Sequence, residues 1–220
     1  MKIYYDVVQM SDAWWELKRG VPTASNFDKV ITPAEGRPSA SQMDFICQLI
    51  AERMLLTSNF SHLGPTRPMI NGILTEPEAR KYYEMETGNV VHEAGFVSTE
   101  DGRFGFSPDG LVMTGDGPHG EKILGDCGGL ELKCPEPKTH IRYLIDARLP
   151  DDYKAQVHGP LALALIDDSM PFRWWDFMSY FPGLPPFLIR VKPDEYTQKL
   201  AHELEHFWHK YEKYLEQFKS

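Results

Sequence analysis

The stretch Gly128-Gly129-Leu130-Glu131-Leu132-Lys133-Cys134-Pro135 constrains the fold of this chain more than any other. From Leu130 to Lys133, apolar and charged residues alternate, the period of a strand with its leucines on one face. The glycines bound it on one side. Cys134-Pro135 stops it on the other, because proline has no N–H to give to a ladder. Glu131 and Lys133 then share the face opposite the leucines, two positions apart. A solvated ion pair on an exposed hairpin would give the same pattern. Upstream, however, Ser107-Pro108-Asp109-Gly110 spells a turn that would hold Asp109 at a strand end, within reach of Glu131 across a sheet.

The rest of the chain supplies the layers that such a strand needs. Helical patterns run over Asp12–Arg19, from Thr23-Ala24-Ser25 towards Val30, over Asp44–Leu56, and from Gly72 to Thr87 with Asn71 as cap. The period then changes to two, with strands expected at Val90–Thr99, Arg103–Ser107, Leu111–Thr114 and Leu130–Lys133. Gly115–Gly129 reads as a hairpin excursion, and Thr57–Pro68 as a loop. Helices follow at Thr139–Ala147 and Asp152–Ile166, the second bent at Gly159-Pro160, then strands at Phe172–Tyr180 and Phe187–Val191. A long amphipathic helix, Tyr196–Phe218, closes the chain. With no internal repeat and no boundary, the pattern is one α+β domain over residues 1–220, a central mixed sheet flanked by helices.

Composition narrows the setting. The 220 residues are 42% hydrophobic and 25% charged, ordinary for a globular protein. No apolar run approaches a membrane span, and the first residues lack the apolar segment of a signal peptide. The three cysteines, Cys47, Cys127 and Cys134, form no CxxC pair, which favours a reduced, cytoplasmic protein. A net charge of −9 points away from a protein that coats nucleic acid non-specifically. It leaves room for an enzyme whose basic residues line one channel.

Two chemical signatures compete. His202-Glu203-Leu204-Glu205-His206 spells the HExxH of zinc peptidases. Yet Leu200, Leu204, Phe207, Tyr211, Leu215 and Phe218 form one apolar stripe of that helix, and His202, His206 and His209 fall on the opposite, solvated face. The longer metzincin spacing would need glycine at 209 and histidine at 212, where this chain has His209 and Glu212. The other signature is Pro108-Asp109 followed by Glu131-Leu132-Lys133. Mg²⁺ prefers a few carboxylate oxygens, which Asp109 and Glu131 supply, with the carbonyl of Leu132 as a further donor. A cation so held activates water for attack at phosphorus, and Lys133, its pKa lowered by burial, would orient or deprotonate that water.

Five segments carry a resemblance. They are Asp12-Ala13-Trp14 with Gly20-Val21-Pro22-Thr23-Ala24-Ser25, Thr75-Glu76-Pro77-Glu78-Ala79-Arg80, Ser107-Pro108-Asp109-Gly110-Leu111, Gly129 to Pro135, and Tyr153-Lys154-Ala155-Gln156-Val157. In this order they resemble the phage lambda exonuclease family of the PD-(D/E)xK nuclease superfamily. The resemblance implies a restriction-endonuclease-like core and a 5′→3′ exonuclease on linear duplex DNA that releases mononucleotides. It implies two Mg²⁺ ions, with Mn²⁺ able to substitute, and a ring-shaped homotrimer that acts processively. It also implies a single-strand annealing protein as partner in recombination, in the cytoplasm of a bacterial host.

By position, Asp109 and Glu131 would ligate the metals, Glu76 would complete the second site, Lys133 would be the catalytic lysine, and Gln156 would place the water or scissile phosphate. Ser25, with Thr23 in the same segment, falls in the pocket for the 5′-phosphate. Lys18 stands where the family presents an arginine, with Arg19 beside it. Met69, beside Arg67, is a candidate wedge for the terminal base pair, with core packing as the alternative. Taken alone, Glu76 reads as first-turn dipole compensation, Gln156 as an exposed helix residue and Ser25 as a cap. A structure-specific endonuclease of the same superfamily would keep the carboxylates but cut closed circles. A non-catalytic DNA-end clamp would bind without turnover.

Overall fold

The computed structural model describes residues 1–55, 67–112 and 127–218, apart from the side chains at 67–71 and 73. The loop 57–66, the side chains of Arg67 and Met69, and most of the Gly115–Gly129 excursion therefore lie outside the described residues. The strands are β1 (Lys2–Tyr4), β2 (Val91–His92), β3 (Phe96–Ser98), β4 (Gly105–Phe106), β5 (Gly110–Val112), β6 (Cys127–Lys133), β7 (Phe172–Ser179) and β8 (Phe187–Val191). The helices are α1 (Asp12–Lys18), α2 (Gln42–Leu55), α3 (Arg67–Thr87), α4 (Pro137–Asp146), α5 (Asp151–Ile166) and α6 (Glu195–Glu216), with a 3-10 turn at Ala24–Lys29.

β6 lies at the centre of a five-stranded sheet of order β2-β5-β6-β7-β8. It pairs antiparallel with β5 and parallel with β7, so the sheet is mixed, as the sequence leads one to expect. Parallel neighbours need a crossover. Here α4 and α5 provide it, and α5 packs on the β7 face. On that side a core of Phe177, Trp175, Val157, Leu161, Leu200 and Phe207 joins the sheet to α5 and α6. On the other side Leu130, Leu132, Trp174 and Met178 pack against Ala79 and Tyr83 of α3. A polar network crosses that second layer. Asp176 of β7, 1% exposed, accepts from Tyr83 Oη at 2.6 Å and from Arg190 Nε and Nη2 at 2.8 Å each. Its buried charge is thus fully partnered.

Three expectations are corrected. Val90–Thr99 is two strands in two sheets, because Gly95 interrupts it. β2 edges the central sheet while β3 joins β1 and β4 in a smaller one. A Cβ at Gly95 would lie 1.8 Å from the Val7 carbonyl oxygen, so only glycine fits that crossing. The helix expected from Gly72 begins at Arg67 instead, and Asn71 lies inside it rather than capping it. Pro68 in its first turn removes an N–H that has no helical partner anyway. Finally, Gly128 and Gly129 belong to β6 rather than to the excursion. α5 itself runs from Asp151 to Ile166 without interruption at Pro160.

The paired glycines let two indoles lie flat against the central strand. A Cβ at Gly128 would sit 2.3 Å from Trp174 Cδ2, and one at Gly129 would sit 2.2 Å from Trp175 Cη2. Both rings are buried. Gly129→Ala is therefore expected to cost about 1–3 kcal/mol by overpacking and to lower Tm by several degrees in a thermal melt. An unchanged Tm would show that the ring moves aside.

Candidate active site

Each carboxylate is positioned by the sheet. Asp109 immediately precedes β5, whose Gly110 pairs with Leu130. The Asp109 N–H donates to the Leu130 carbonyl at 3.2 Å, and the Leu132 N–H donates to Asp109 Oδ2 at 2.6 Å. Leu132 thus serves the site through its backbone, while its side chain is buried towards α3. On the opposite face of β6, Glu131 is 4% exposed, and its Oε1 accepts from Lys133 Nζ at 2.5 Å and from Gln156 Nε2 at 2.7 Å. The Lys133 ammonium also lies 5.0 Å from the centre of the Tyr153 ring, a cation–π contact from α5.

A cleft of about 320 Å³ brings Lys18 and Ser25 together with Asp109, Glu131, Lys133 and Gln156. Lys18 ends α1, its ammonium 3.9 Å over the Trp14 ring. The Trp14 indole N–H donates to Ser107 Oγ at 2.8 Å and to the Gly95 carbonyl at 3.0 Å. It thereby fastens α1 to the turn that carries Asp109. Ser25 is exposed at the start of the 3-10 turn, and Thr23 rather than Ser25 is its N-cap residue. Thr23 itself is buried, its hydroxyl 3.2 Å from Ser25 Oγ. Arg19 turns away from the cleft and pairs with Glu16.

Glu76 is half-buried and lies midway along α3, so first-turn dipole compensation no longer accounts for it. Its Oε1 accepts from Arg80 Nη2 at 2.8 Å, and Arg80 Nε donates to the Asp109 carbonyl at 3.2 Å. Glu76 and Asp109 share the wall of a second cleft of about 440 Å³. Asp109 and Gln9 line both clefts.

The electrostatics follow from crowding. Burial, and then repulsion from Asp109 against the pull of Arg80 and Lys133, pushes the Glu76 carboxyl up to about 7. Burial also lifts Glu131 to about 7, with Lys133 opposing and Asp109 adding to it. Asp109 is raised by burial too, against Lys133 and the Leu132 N–H. For Lys133, burial alone would push the ammonium down, but Glu131 and Asp109 outweigh it and the pKa is raised. The expectation of a depressed lysine is thereby corrected: next to two acids it stays charged. Lys18 has no such company. Burial pushes it down to about 8, with Glu52 opposing.

Hard oxygen donors held close to neutrality suit a divalent cation, which would take the place of their protons. Asp109 and Glu131 are the pair best placed for it. Among the described residues, no three His, Cys, Asp or Glu side chains are drawn together as a ready-made metal group. Neither His202 nor His206 offers an alternative centre. Both are exposed, while Glu203 between them is buried and accepts from Gln42 Nε2 at 2.7 Å. The glutamate a zinc peptidase would need as base faces the core.

Four residues near the site carried no role in the sequence reading. The Glu76–Arg80 spacing of four on a helix signals a pair. Gln9, which donates to the Pro108 carbonyl at 2.9 Å, and Trp14 and Glu52 act across long sequence separations that leave no local signal.

The comparisons with known proteins agree with this geometry. Among curated proteins, none matches the chain significantly. Among solved structures, LHK-Exo, an alkaline exonuclease from Laribacter hongkongensis, is 29% identical, with 95% of this chain and 96% of that one covered and a TM-score of 0.74. The same protein in complex with dAMP matches with a TM-score of 0.73. A phage-related exonuclease from Haemophilus somnus 129PT shares the fold at 12% identity, with a TM-score of 0.60 over 90% of this chain and 96% of that one. The resemblance to lambda exonuclease read from the motifs therefore holds. The family described as the YqaJ-like viral recombinase domain matches residues 13–166, and the chain belongs to that family.

Proposed function

We propose that the protein is a metal-dependent exonuclease that degrades one strand of linear duplex DNA from its 5′ end and releases mononucleotides. The observation that carries this reading is the single cleft joining Lys18 and Ser25 to Asp109, Glu131, Lys133 and Gln156. A cation and a hydroxyl suit a terminal phosphate, and two carboxylates with an ammonium suit the phosphodiester to be cut. LHK-Exo is described as an alkaline exonuclease and has been seen with dAMP, a mononucleotide, which supports the same product class here.

Asp109 and Glu131, with the Leu132 carbonyl, would hold Mg²⁺, and Glu76 would serve a second ion, with Mn²⁺ as a substitute. When bound, such ions activate water and neutralise the charge that builds in in-line attack at phosphorus. The chain's own groups do the rest. Lys133 and Gln156 both donate to Glu131 Oε1 and so fix that carboxylate. As an ammonium, Lys133 steadies the developing charge rather than taking up a proton. Lys18 offers the terminal phosphate a point charge without the bidentate fork of an arginine, which weakens the preference for a phosphorylated end. A ring homotrimer, an annealing protein as partner and a place in the bacterial cytoplasm complete the reading, on the strength of the family resemblance.

With Mg²⁺, the protein is expected to convert a linear 5′-phosphorylated duplex to mononucleotides and to leave a covalently closed circle intact, with EDTA abolishing turnover. Asp109→Ala should be inactive, and Lys133→Ala should lose roughly 10²–10³-fold in kcat. His202→Ala should be nearly silent. Cutting of the circle would favour a structure-specific endonuclease, and digestion by Asp109→Ala would defeat the site. Light scattering tests the assembly separately: three copies are expected, and a stable monomer would contradict the ring.

A further inference from the structure

Glu52 stands on α2, does not line the cleft, and is 4% exposed, a burial that carboxylates rarely reach without partners. Both of its oxygens are engaged. Oε2 accepts the Gly20 N–H at 3.1 Å, and Oε1 accepts Gln48 Nε2 at 2.9 Å. Gly20 joins α1, which ends at Lys18, to the segment that leads to Ser25. Its φ is +63°, and a Cβ there would come within 2.3 Å of Arg53 Cγ. Its carbonyl accepts from Arg53 Nε at 3.2 Å and from Tyr211 Oη at 2.9 Å. One glycine is thus gripped at both its N–H and its C=O by side chains of α2 and α6. Glu52 and Lys18 also line the same small pocket, alongside Trp15 and Thr23.

We propose that Glu52 is a positioning residue. Through the Gly20 N–H and its charge beside Lys18, it fixes where the 5′-phosphate of a DNA end is held relative to Asp109 and Glu131. The role rests on the exonuclease reading above. A carboxylate that only braced the loop would serve every substrate alike, whereas one that sets Lys18 and Ser25 matters for ends bearing a phosphate.

The test is steady-state digestion of two linear duplexes that differ only in a 5′-phosphate or a 5′-hydroxyl, by wild type, Glu52→Ala and Glu52→Gln. Wild type should prefer the phosphate. Glu52→Ala should lose about tenfold in kcat/KM on the phosphorylated duplex, mainly through KM, and stay within about twofold on the hydroxyl duplex. Glu52→Gln, which still accepts the Gly20 N–H, should recover part of the preference. Should Glu52→Ala fail to fold, Tyr211→Phe, which removes one donor to the Gly20 carbonyl, is expected to shift the preference the same way by less. Equal losses on both duplexes, or an unchanged preference in Glu52→Ala, would overturn the role while leaving the exonuclease reading intact. A wild type inactive on linear duplex would overturn that reading itself, and one active but indifferent to the phosphate would overturn the anchor and the role of Glu52 together.

Discussion

The hydrogen bond from the Leu132 N–H to Asp109 Oδ2, 2.6 Å long, is the contact on which the site depends. It runs from the central strand to the turn before its antiparallel neighbour. The strand pairing that buries the leucines therefore also delivers the second carboxylate. Around it, packing and chemistry share one element. Leu130 and Leu132 are held by α3 on one side, and Glu131 is held by Gln156 of α5 on the other. A one-residue slip of β6 would exchange the two faces and put Glu131 into the apolar layer.

That arrangement concentrates negative charge where it is costly. Three carboxylates act on one another across Asp109, two of them lifted to about 7. Among the described residues, Lys133 and Arg80 are the cations that oppose them, while Lys18 lines the same cleft as Asp109 and Glu131. Lys133 and Arg80 are committed to Glu131 and Glu76, which leaves Lys18, half-buried over an indole, as the cation turned to the other end of the cleft. The proposed division of labour between a metal end and a phosphate end rests on this distribution of charge.

Much of this was legible in the sequence because it is local. The period of two at Leu130–Lys133, the Pro-Asp-Gly turn and the helical stripe of α6 each sit within a few residues, and each appears where the pattern puts it, save that Phe218 at the end of the stripe lies beyond α6 and is exposed. What was hidden depends on partners far along the chain. Nothing near Val90–Thr99 says that its two halves join different sheets, since that is set by the Val7 backbone against Gly95. Pro68 reads as a loop residue until the first turn of α3 accommodates it. The charge state of Lys133 was misjudged for a different reason: Glu131, the first of the acids that outweigh its burial, is two residues away on the same strand, and its pull, with that of Asp109, was set below desolvation.

The central claim is that Asp109 and Glu131 form a site for a hard divalent cation. Calorimetric titration of Mn²⁺ into wild type and Asp109→Ala, without DNA, tests it most directly. The account predicts saturable binding to wild type that weakens at least about tenfold in the variant. Equal affinity in the two proteins, or no binding to wild type, would contradict it.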